Sequence, residues 1–218
     1  MSPDTSQPLR LVLVDDHAIV RMGFRMLLES SSPDLKVVAE AADGEALLRL
    51  LPETGCDVVV MDLSMPGLGG LETLRRLRAR DEAPPVLVLS AHEDTAHPRR
   101  ALNAGALGYL SKRAAPETLP EAVRAVAAGR RYLDPQTAQA LALSQIDGSD
   151  SPFDALSERE FEVFTRLARG RSVQEIAAQL HLSPSTVGTH LYNIKQKLGA
   201  GNQAELTLLA LRWGVIEA

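Results

Sequence analysis

The N-terminal part of the chain alternates short apolar runs with amphipathic stretches. The apolar runs are bounded by turn or polar residues and predict strands at residues 9–14, 35–39, 57–61, 86–89 and 107–110. The intervening stretches have helical apolar spacing, at residues 18–29, 44–51, 71–80, 99–104 and 117–128. The run Val58–Met61 is apolar throughout, as a strand buried on both faces requires. The pattern predicts an α/β domain, a doubly wound, flavodoxin-like (βα)5 fold with helices on both faces of a parallel sheet.

After Gly129 this alternation stops. The spacing at residues 133–143 allows one more short helix, and residues 144–152, rich in Ser, Asp, Gly and Pro, predict a mobile linker. Beyond it only helices are predicted, at residues 158–168, 173–180, 184–198 and 204–213. Three of them have marked starts: the capping boxes of Ser157 with Glu160 and of Ser172 with Glu175, and the pair Ser183 and Pro184. We therefore expect a second domain that is all-α, with four helices.

Composition and charge narrow the classes of protein to consider. The 218 residues are 45% hydrophobic, enough for two packed cores, and the formal net charge is −5. Residues 151–218 hold seven acidic and seven basic side chains, so the second domain can touch DNA only through a local patch. The single cysteine, Cys56, excludes an internal disulfide, and no signal-like or membrane-spanning apolar segment is present. We expect a cytoplasmic protein.

Three carboxylates follow predicted strands at one edge of the sheet. Asp15 and Asp16 come after the first strand, and Asp62 comes after the third. With strand order 2-1-3-4-5, the first and third strands are neighbours and flank the crevice where such folds bind ligands. Like charges at this spacing favour a bridging hard cation with oxygen ligands, and Mg²⁺ is the expected ion.

Other residues near this crevice suit phosphoryl chemistry. Asp62 stands opposite the pair and is the candidate nucleophile, which would form an acyl phosphate. Ser90 ends the fourth strand and Lys112 follows the fifth, so both are candidates to bind a phosphoryl oxygen. Each signal alone is weak, because a helix cap, a turn residue or a solvated charge also explains it. Five such residues in register favour a site.

These residues resemble the signature of receiver domains. The resemblance covers residues 9 to 128 and is carried by residues 14–17, 61–67, 90–91 and 105–112. It implies that a sensor histidine kinase phosphorylates Asp62, and that Asp16 binds Mg²⁺ directly while Asp15 acts mainly through water. The carboxylate of Asp62 and the backbone carbonyl of Ser64 would be further metal ligands. It also implies a switch in which the Ser90 hydroxyl turns toward the phosphoryl group and the Tyr109 ring follows inward. A half-buried aromatic without such a role is the alternative for Tyr109.

Pro98 departs from this pattern. It stands where the fourth helix is predicted to start, and proline inside a helix removes a backbone hydrogen bond. Either the helix begins there or the switch face is locally irregular. The dimer surface used on activation stays open.

Residues 172–199 predict a helix, a short turn at residues 180–182 and a second helix. The second helix has an apolar face, Val187, Leu191, Ile194 and Leu198, that we expect to pack inward. Side chains on or beside its polar face are the candidate DNA contacts: Ser185, Thr186, Thr189, His190, Tyr192, Lys195 and Lys197, with Gln196 on the same face. Such groups can read base edges in a major groove and hold phosphates. By itself the pattern also fits a small bundle with a hydrated polar face.

Residues 154–215 resemble the LuxR-type DNA-binding domain, and the whole chain resembles the NarL/FixJ family of two-component response regulators. The motifs lie at residues 156–160, 175–177, 182–183, 186–187, 189–190, 193–194, 197–199 and 204–206. Gly188 stands where the family has lysine, and Gln203 stands where arginine follows asparagine. Each loses a phosphate or base contact, so we expect weaker or differently specific DNA binding. The resemblance also implies a homodimer on DNA, formed through the last helix.

The sequence thus predicts an N-terminal tail (1–8), a receiver (9–128), a partly helical linker (129–153) and a LuxR-type helix-turn-helix domain (154–218). The leading hypothesis is a transcription regulator in which phosphorylation of Asp62 controls dimerisation and DNA binding. RNA polymerase stays open as a further partner, and no membrane partner is expected. The only reactions expected are self-phosphorylation and self-dephosphorylation, so no enzyme acting on an external substrate is predicted.

Two alternatives remain at this point. An aspartyl-phosphate phosphohydrolase also needs an aspartate nucleophile and Mg²⁺, but it usually carries D-x-D-x-T after the first strand, which residues 14–18 do not match. The other alternative keeps the fold and lets dimerisation or a protein partner control the output without phosphorylation.

Overall fold

The computed structural model describes residues 7–91, 96–146, 152–180 and 182–216. The chain divides near residue 142 into two compact units. Outside the described residues lie 1–6 of the predicted tail, 147–151 of the predicted linker, 92–95 before the fourth helix and His181 of the predicted turn.

The first unit is built around a parallel sheet in the order β2-β1-β3-β4-β5-β6. Its strands are β1 (Leu9–Val14), β2 (Leu35–Ala41), β3 (Val58–Met61), β4 (Val86–Ser90), β5 (Gly108–Ser111) and β6 (Tyr132–Leu133). Its helices are α1 (Ala18–Ser31), α2 (Gly44–Thr54), α3 (Gly70–Arg78), α4 (Ala96–Ala104) and α5 (Ala115–Ala127), followed by α6 (Pro135–Ile146). The predicted fold class and the order of the first five strands are confirmed.

The sheet has an apolar cluster on each face. Along β1, Leu11 and Leu13 belong to one cluster, whereas Val12 and Val14 belong to the other. Successive side chains of a strand point to opposite faces, so a strand covered on both sides must be apolar at every position. This is why β3 is buried throughout its length, as the sequence pattern predicts.

The sixth strand was not predicted. Residues Tyr132 and Leu133 pair in parallel with β5, and Asp134 follows them directly. The Asp134 carboxylate accepts hydrogen bonds from the backbone N–H and the hydroxyl of Thr137, at 2.9 and 2.8 Å, and so caps α6. It also accepts a bond of 3.3 Å from the backbone N–H of Ser111. A two-residue strand is too short to produce a hydrophobic period, which explains why the sequence pattern missed it.

Pro98 is accommodated by an early helix start. Helix α4 begins at Ala96, so Pro98 lies in its first turn, where backbone N–H groups have no intrahelical partner. Of the two possibilities that the sequence left open, the structure favours a helix that begins beside the proline.

The second unit is helical, as predicted. A short 3-10 helix (Pro152–Ala155) precedes α7 (Glu158–Ala168), α8 (Val173–Gln179), α9 (Pro184–Leu198) and α10 (Gln203–Arg212). Both predicted capping boxes are formed, and the Ser183 hydroxyl accepts from the Thr186 N–H at the start of α9. None of the helices in the described ranges combines the length and apolar character needed to cross a bilayer.

Candidate functional site

The carboxylates of Asp15 and Asp62 meet at the carboxyl edge of β1 and β3. Both residues are buried, each 4% exposed. The Lys112 ammonium donates to Asp15 Oδ2 and to Asp62 Oδ2, each at 2.7 Å, so these oxygens lie no more than twice that distance apart. Adjacent pairing of β1 and β3 causes this convergence, because it places the residues that follow the two strands side by side.

Asp16 differs from its two neighbours. Its Oδ1 is buried, and none of the described residues gives it a hydrogen bond of acceptable geometry, although His17 Nδ1 lies 2.8 Å away. Ligand atoms of Asp15, Asp16 and His17 lie within 4.8 Å of one another. A buried carboxylate oxygen without a donor is costly unless a cation satisfies it.

The donor set and the charge of this cluster suit a divalent cation. Three carboxylates and the Lys112 ammonium carry a net charge of −2 when all are ionised, which a single divalent ion balances. The carboxylate oxygens are the hard ligands that Mg²⁺ prefers. The residues present therefore fit the metal that the fold class implies.

Burial and neighbouring charges shift the pKa values of Asp62 and Lys112. Burial raises the pKa of Asp62, and the negative charge of Asp15 acts in the same direction, against the opposing effect of Lys112. Burial alone would lower the pKa of Lys112, but the charges of Asp62 and Asp15 and their hydrogen bonds outweigh it, so this pKa is raised. Lys112 is thus protonated at neutral pH.

The loop after Asp62 folds back tightly on the strand end. A Cβ at Gly70 would lie 2.6 Å from the Leu63 Cα and 2.8 Å from the Asp62 carbonyl oxygen, so no larger residue fits there. Within the loop, the Ser64 backbone N–H donates to Asp62 Oδ1 at 3.3 Å. Gly70 therefore allows the close approach of this loop to the end of β3.

Ser90 and Tyr109 are both fully buried on adjacent strands. The Ser90 carbonyl accepts from the Lys112 backbone N–H at 2.8 Å, which brings Ser90 beside the carboxylate cluster. The Tyr109 ring packs in the cluster that contains Val88 and Ala101. The ring already lies inward and is fully buried, not half-buried, and its role in a switch stays a prediction.

The outward face of α9 carries most of the predicted DNA contacts. Val187 and Ile194 are buried and Leu191 and Leu198 pack partly against the same core, so the inward face is confirmed. The exposed side chains on or beside the opposite face are Ser185, Thr186, Thr189, Tyr192, Gln196 and Lys197. Tyr192 is 64% exposed. This polar surface of α9, with an aromatic ring at its centre, has the groups that base-edge contacts require.

Three of the predicted DNA contacts also have structural surroundings that the sequence did not reveal. Lys197 Nζ donates to the buried carboxylate of Glu160 at 2.6 Å, which ties α9 to the capping box of α7. Lys195 Nζ donates to the Gly201 carbonyl at 3.2 Å. Burial lowers the pKa of His190, which is half-buried, so its imidazole is neutral at pH 7. A phosphate contact by Lys197 would have to compete with Glu160.

Arg21 and Glu40 were missed by the sequence analysis. Arg21 Nη1 donates to the backbone carbonyl of Asp15 at 2.5 Å, and its Nε donates to Glu40 Oε2 at 3.0 Å. Arg21 also lines the same small cavity as Asp15 and Asp62. The sequence signal that could have indicated Arg21 is its position in the first turn of the helix that follows Asp15 and Asp16.

The fold and the buried acidic cluster define the class of this protein, a receiver domain followed by a helix-turn-helix domain. Residues 11–124 match the response regulator receiver domain family, and residues 154–210 match the luxR family of bacterial regulatory proteins. The chain belongs to the response regulators of the luxR type.

Individual relatives match along nearly the whole chain. Over 212 residues, 96% of this chain, it is 42% identical to the response regulator UvrY of Escherichia coli (strain K12) and 43% identical to the response regulator GacA of Pseudomonas aeruginosa. These alignments cover 97% and 99% of the two relatives. The structure of RcsB from Salmonella enterica serovar Typhimurium, bound to a promoter in the presence of a phosphomimetic, matches with a TM-score of 0.64. That match has 29% identity and covers 93% of this chain and 98% of the other.

Proposed function

We propose that this response regulator controls transcription through phosphorylation of Asp62. The observation that carries the proposal is the cluster in which Lys112 bridges the buried carboxylates of Asp15 and Asp62. Beside it lies a buried Asp16 oxygen that receives no hydrogen bond of acceptable geometry within the described part of the chain. A purely structural ion pair would not require a third carboxylate beside it.

The chemistry assigned to Asp62 is nucleophilic attack on phosphorus. One of its carboxylate oxygens forms a bond to the phosphorus of a phosphohistidine on a sensor kinase, the P–N bond breaks, and the electron pair goes to the imidazole, which is then protonated. Lys112 stays beside the acyl phosphate and pairs with a phosphoryl oxygen. The Ser90 hydroxyl is the further candidate donor, and Tyr109 the candidate ring that responds.

Mg²⁺ is the proposed metal, held by Asp15, Asp16, Asp62 and the backbone carbonyl of Ser64. When bound, it neutralises negative charge on the phosphoryl oxygens. The chain's own contribution is to hold these ligands at the ends of two adjacent strands. The only reactions proposed are phosphorylation and dephosphorylation of Asp62 itself, with no turnover of an external substrate.

Double-stranded DNA is the proposed target of the second unit, and the outward face of α9 is the proposed reading surface. RcsB is described bound to a promoter, and RcsB dimers are described on DNA. By similarity we propose that phosphorylation favours a homodimer of this chain that binds two half-sites. Because bacterial chromosomal DNA lies in the cytoplasm, the proposal also places the protein there.

The assignment of Asp62 is tested by incubating the chain with acetyl phosphate and Mg²⁺ and measuring its intact mass. We expect a gain of one phosphoryl group in the unaltered chain and in Asp57→Asn, and none in Asp62→Asn. Asp57 is the matched control because it is an exposed aspartate just before the other end of β3. Equal labelling of the Asp62→Asn variant would refute the assigned site.

The regulatory part of the proposal is tested with DNA. Duplexes enriched from a random library by the phosphorylated chain are titrated with phosphorylated and unphosphorylated protein. We expect tighter binding after phosphorylation and no such change in Asp62→Asn. Equal affinity in both states would favour control by dimerisation or a protein partner alone, and multiple turnover of an external phosphate ester would favour a phosphohydrolase.

A further inference from the structure

The feature that the proposed chemistry does not use is the pair of Arg21 on α1 and Glu40 on β2. The Arg21 side chain is 17% exposed, and its guanidinium makes two directed contacts. Nη1 donates to the Asp15 carbonyl oxygen at 2.5 Å, and Nε donates to Glu40 Oε2 at 3.0 Å. The planar guanidinium holds both contacts in a fixed relative direction.

The carbonyl that Arg21 binds belongs to the peptide group joining Asp15 to Asp16. Because a peptide group is planar, the direction of its carbonyl oxygen also fixes the direction of the Asp16 N–H and the position of the Asp16 Cα. Asp15 is held independently, since its N–H donates to Ala41 and its carboxylate accepts from the His17 N–H and from Lys112. At Asp16, Oδ1 receives no hydrogen bond of acceptable geometry from the described residues, and its neighbour at 2.8 Å is Nδ1 of the exposed His17 side chain. The backbone before Asp16 is therefore the buried support that sets the orientation of its carboxylate.

Glu40 keeps Arg21 in place. Burial raises the pKa of Glu40, but hydrogen bonds from Arg21 and Arg25 outweigh that effect and hold the pKa below its ordinary value, so the carboxylate is charged at neutral pH. Arg25 Nη1 binds the other oxygen, Oε1, at 3.0 Å. Arg21 and Arg25 thus share Glu40, but the contact with the Asp15 carbonyl belongs to Arg21.

We infer that Arg21 is a positioning residue for the metal site: it sets the orientation of the Asp15–Asp16 peptide group and thereby the affinity for Mg²⁺. The inference rests on the proposed function, which makes Asp16 a metal ligand. Groups that orient metal ligands typically change metal affinity by about 10 to 100-fold when they are removed.

The test is calorimetric titration of the full chain with Mg²⁺. We expect Arg21→Met to weaken Mg²⁺ binding by about tenfold, and Arg25→Met to leave it within about twofold of the unaltered chain. Removing a positive charge near a cation site would by itself tighten cation binding. Weaker binding in Arg21→Met therefore cannot arise from charge alone. Arg21→Lys, which keeps one charged donor, is expected to recover part of the affinity.

A second readout separates positioning from loss of structure. At Mg²⁺ concentrations that saturate each variant, the rate of phosphorylation by acetyl phosphate is expected to be close to normal in Arg21→Met, because Asp62 and Lys112 are unchanged. In EDTA, Arg21→Met should still unfold in a cooperative transition well above the temperature of the titration, so weaker Mg²⁺ binding would not reflect an unfolded chain. If Arg21→Met does not fold, Arg21→Gln, which also removes the positive charge, replaces it, with the same expected weakening of Mg²⁺ binding.

Two outcomes would overturn the inference in different ways. If the unaltered chain binds no Mg²⁺, the proposed metal site fails and the inference fails with it. If the unaltered chain binds Mg²⁺ and folded Arg21→Met binds it equally well, or Arg25→Met is weakened to the same degree, only the role of Arg21 is disproved.

Discussion

Gly188 lies inside α9 with open space around it. A Cβ built at this position would meet no atom within 4 Å, so neither packing nor close approach requires glycine there. Glycine inside an exposed helix costs about 0.5 to 1 kcal/mol relative to alanine. The sequence showed that a family lysine is missing, and the structure shows that a lysine would fit.

Substituting Gly188 separates helix stability from charge. We expect Gly188→Lys and Gly188→Ala to stabilise the second unit equally, by about 0.5 to 1 kcal/mol, but only Gly188→Lys to tighten DNA binding. Each added phosphate contact steepens the dependence of log affinity on log salt by about 0.9, so affinities of both variants are measured at several salt concentrations. If Gly188→Ala tightens DNA binding as much as Gly188→Lys, the stability of α9 limits binding, and the missing positive charge does not.

Single residues also mark where sequence reasoning stops. The aspartates, Ser90 and Lys112 were found because each follows or ends a strand, and strand order fixes which ends are neighbours. Arg21 and Lys197 gain their contacts from partners 19 and 37 residues away, Glu40 and Glu160. Hydrophobic periodicity does not indicate such distant pairs, so the carboxylate cluster with Lys112 was predictable, whereas the pairs of Arg21 with Glu40 and of Lys197 with Glu160 were not.

At the scale of elements, the structure confirms those with a strong local signal. The capping boxes at Ser157 and Ser172 needed only residues three positions apart, and both form. Strand β6 and the Asp134 cap of α6 form only beside the neighbouring strand β5. The sequence pattern therefore predicted a linker for this segment. Hydrophobic periodicity therefore cannot predict short elements that depend on tertiary partners.

The capping box of α7 predicts a pH-dependent stability. Hydrogen bonds from Lys197 and Ser157 hold the pKa of Glu160 below its ordinary 4.5, against the effect of burial. A carboxyl with a lowered folded pKa contributes stability above its unfolded pKa and loses it as pH falls through the folded pKa. We expect Glu160→Gln to lower the free energy of unfolding by about 1 kcal/mol at pH 7, and the deficit to shrink below pH 4.5.

Glu175 is the matched control for Glu160. It forms the same capping box on α8, but it is half exposed and has Arg171 at 3.4 Å in place of a close lysine. The fluorescence of Trp213, the single tryptophan, follows urea unfolding of the second unit. If Glu160→Gln and Glu175→Gln show the same pH dependence, the pair with Lys197 contributes nothing of its own.

The cap at Asp134 predicts a local effect on α6. Asp134→Ala removes the acceptor for the Thr137 N–H and should destabilise the first turn of α6 by about 1 kcal/mol. Asp134→Asn keeps an oxygen acceptor, so α6 should lose little stability in this variant. Hydrogen exchange of the first-turn amides measures the difference, and unchanged protection in the alanine variant would contradict the assigned cap.

At the scale of the whole molecule, the chain has separate apolar cores in its two units. Two apolar clusters cover the faces of the sheet in the first unit. The second unit has an aromatic cluster in which the ring centroids of Phe153 and Trp213 lie 6.3 Å apart. The proposed Mg²⁺ ligands lie in the first unit, and the single tryptophan lies in the second. A metal that binds only the folded first unit should therefore act on one unfolding transition and not on the other.

Unfolding of the full chain with and without Mg²⁺ tests this separation. At ten times its dissociation constant, the ion should stabilise the first unit by about 1.4 kcal/mol, seen as a higher midpoint by circular dichroism, while the Trp213 transition stays in place. Asp16→Asn, which removes a carboxylate from the cluster, should abolish the shift. If the Trp213 transition moves by the same amount, the two units unfold as one cooperative body, because stabilisation of one can reach the other only through coupled unfolding.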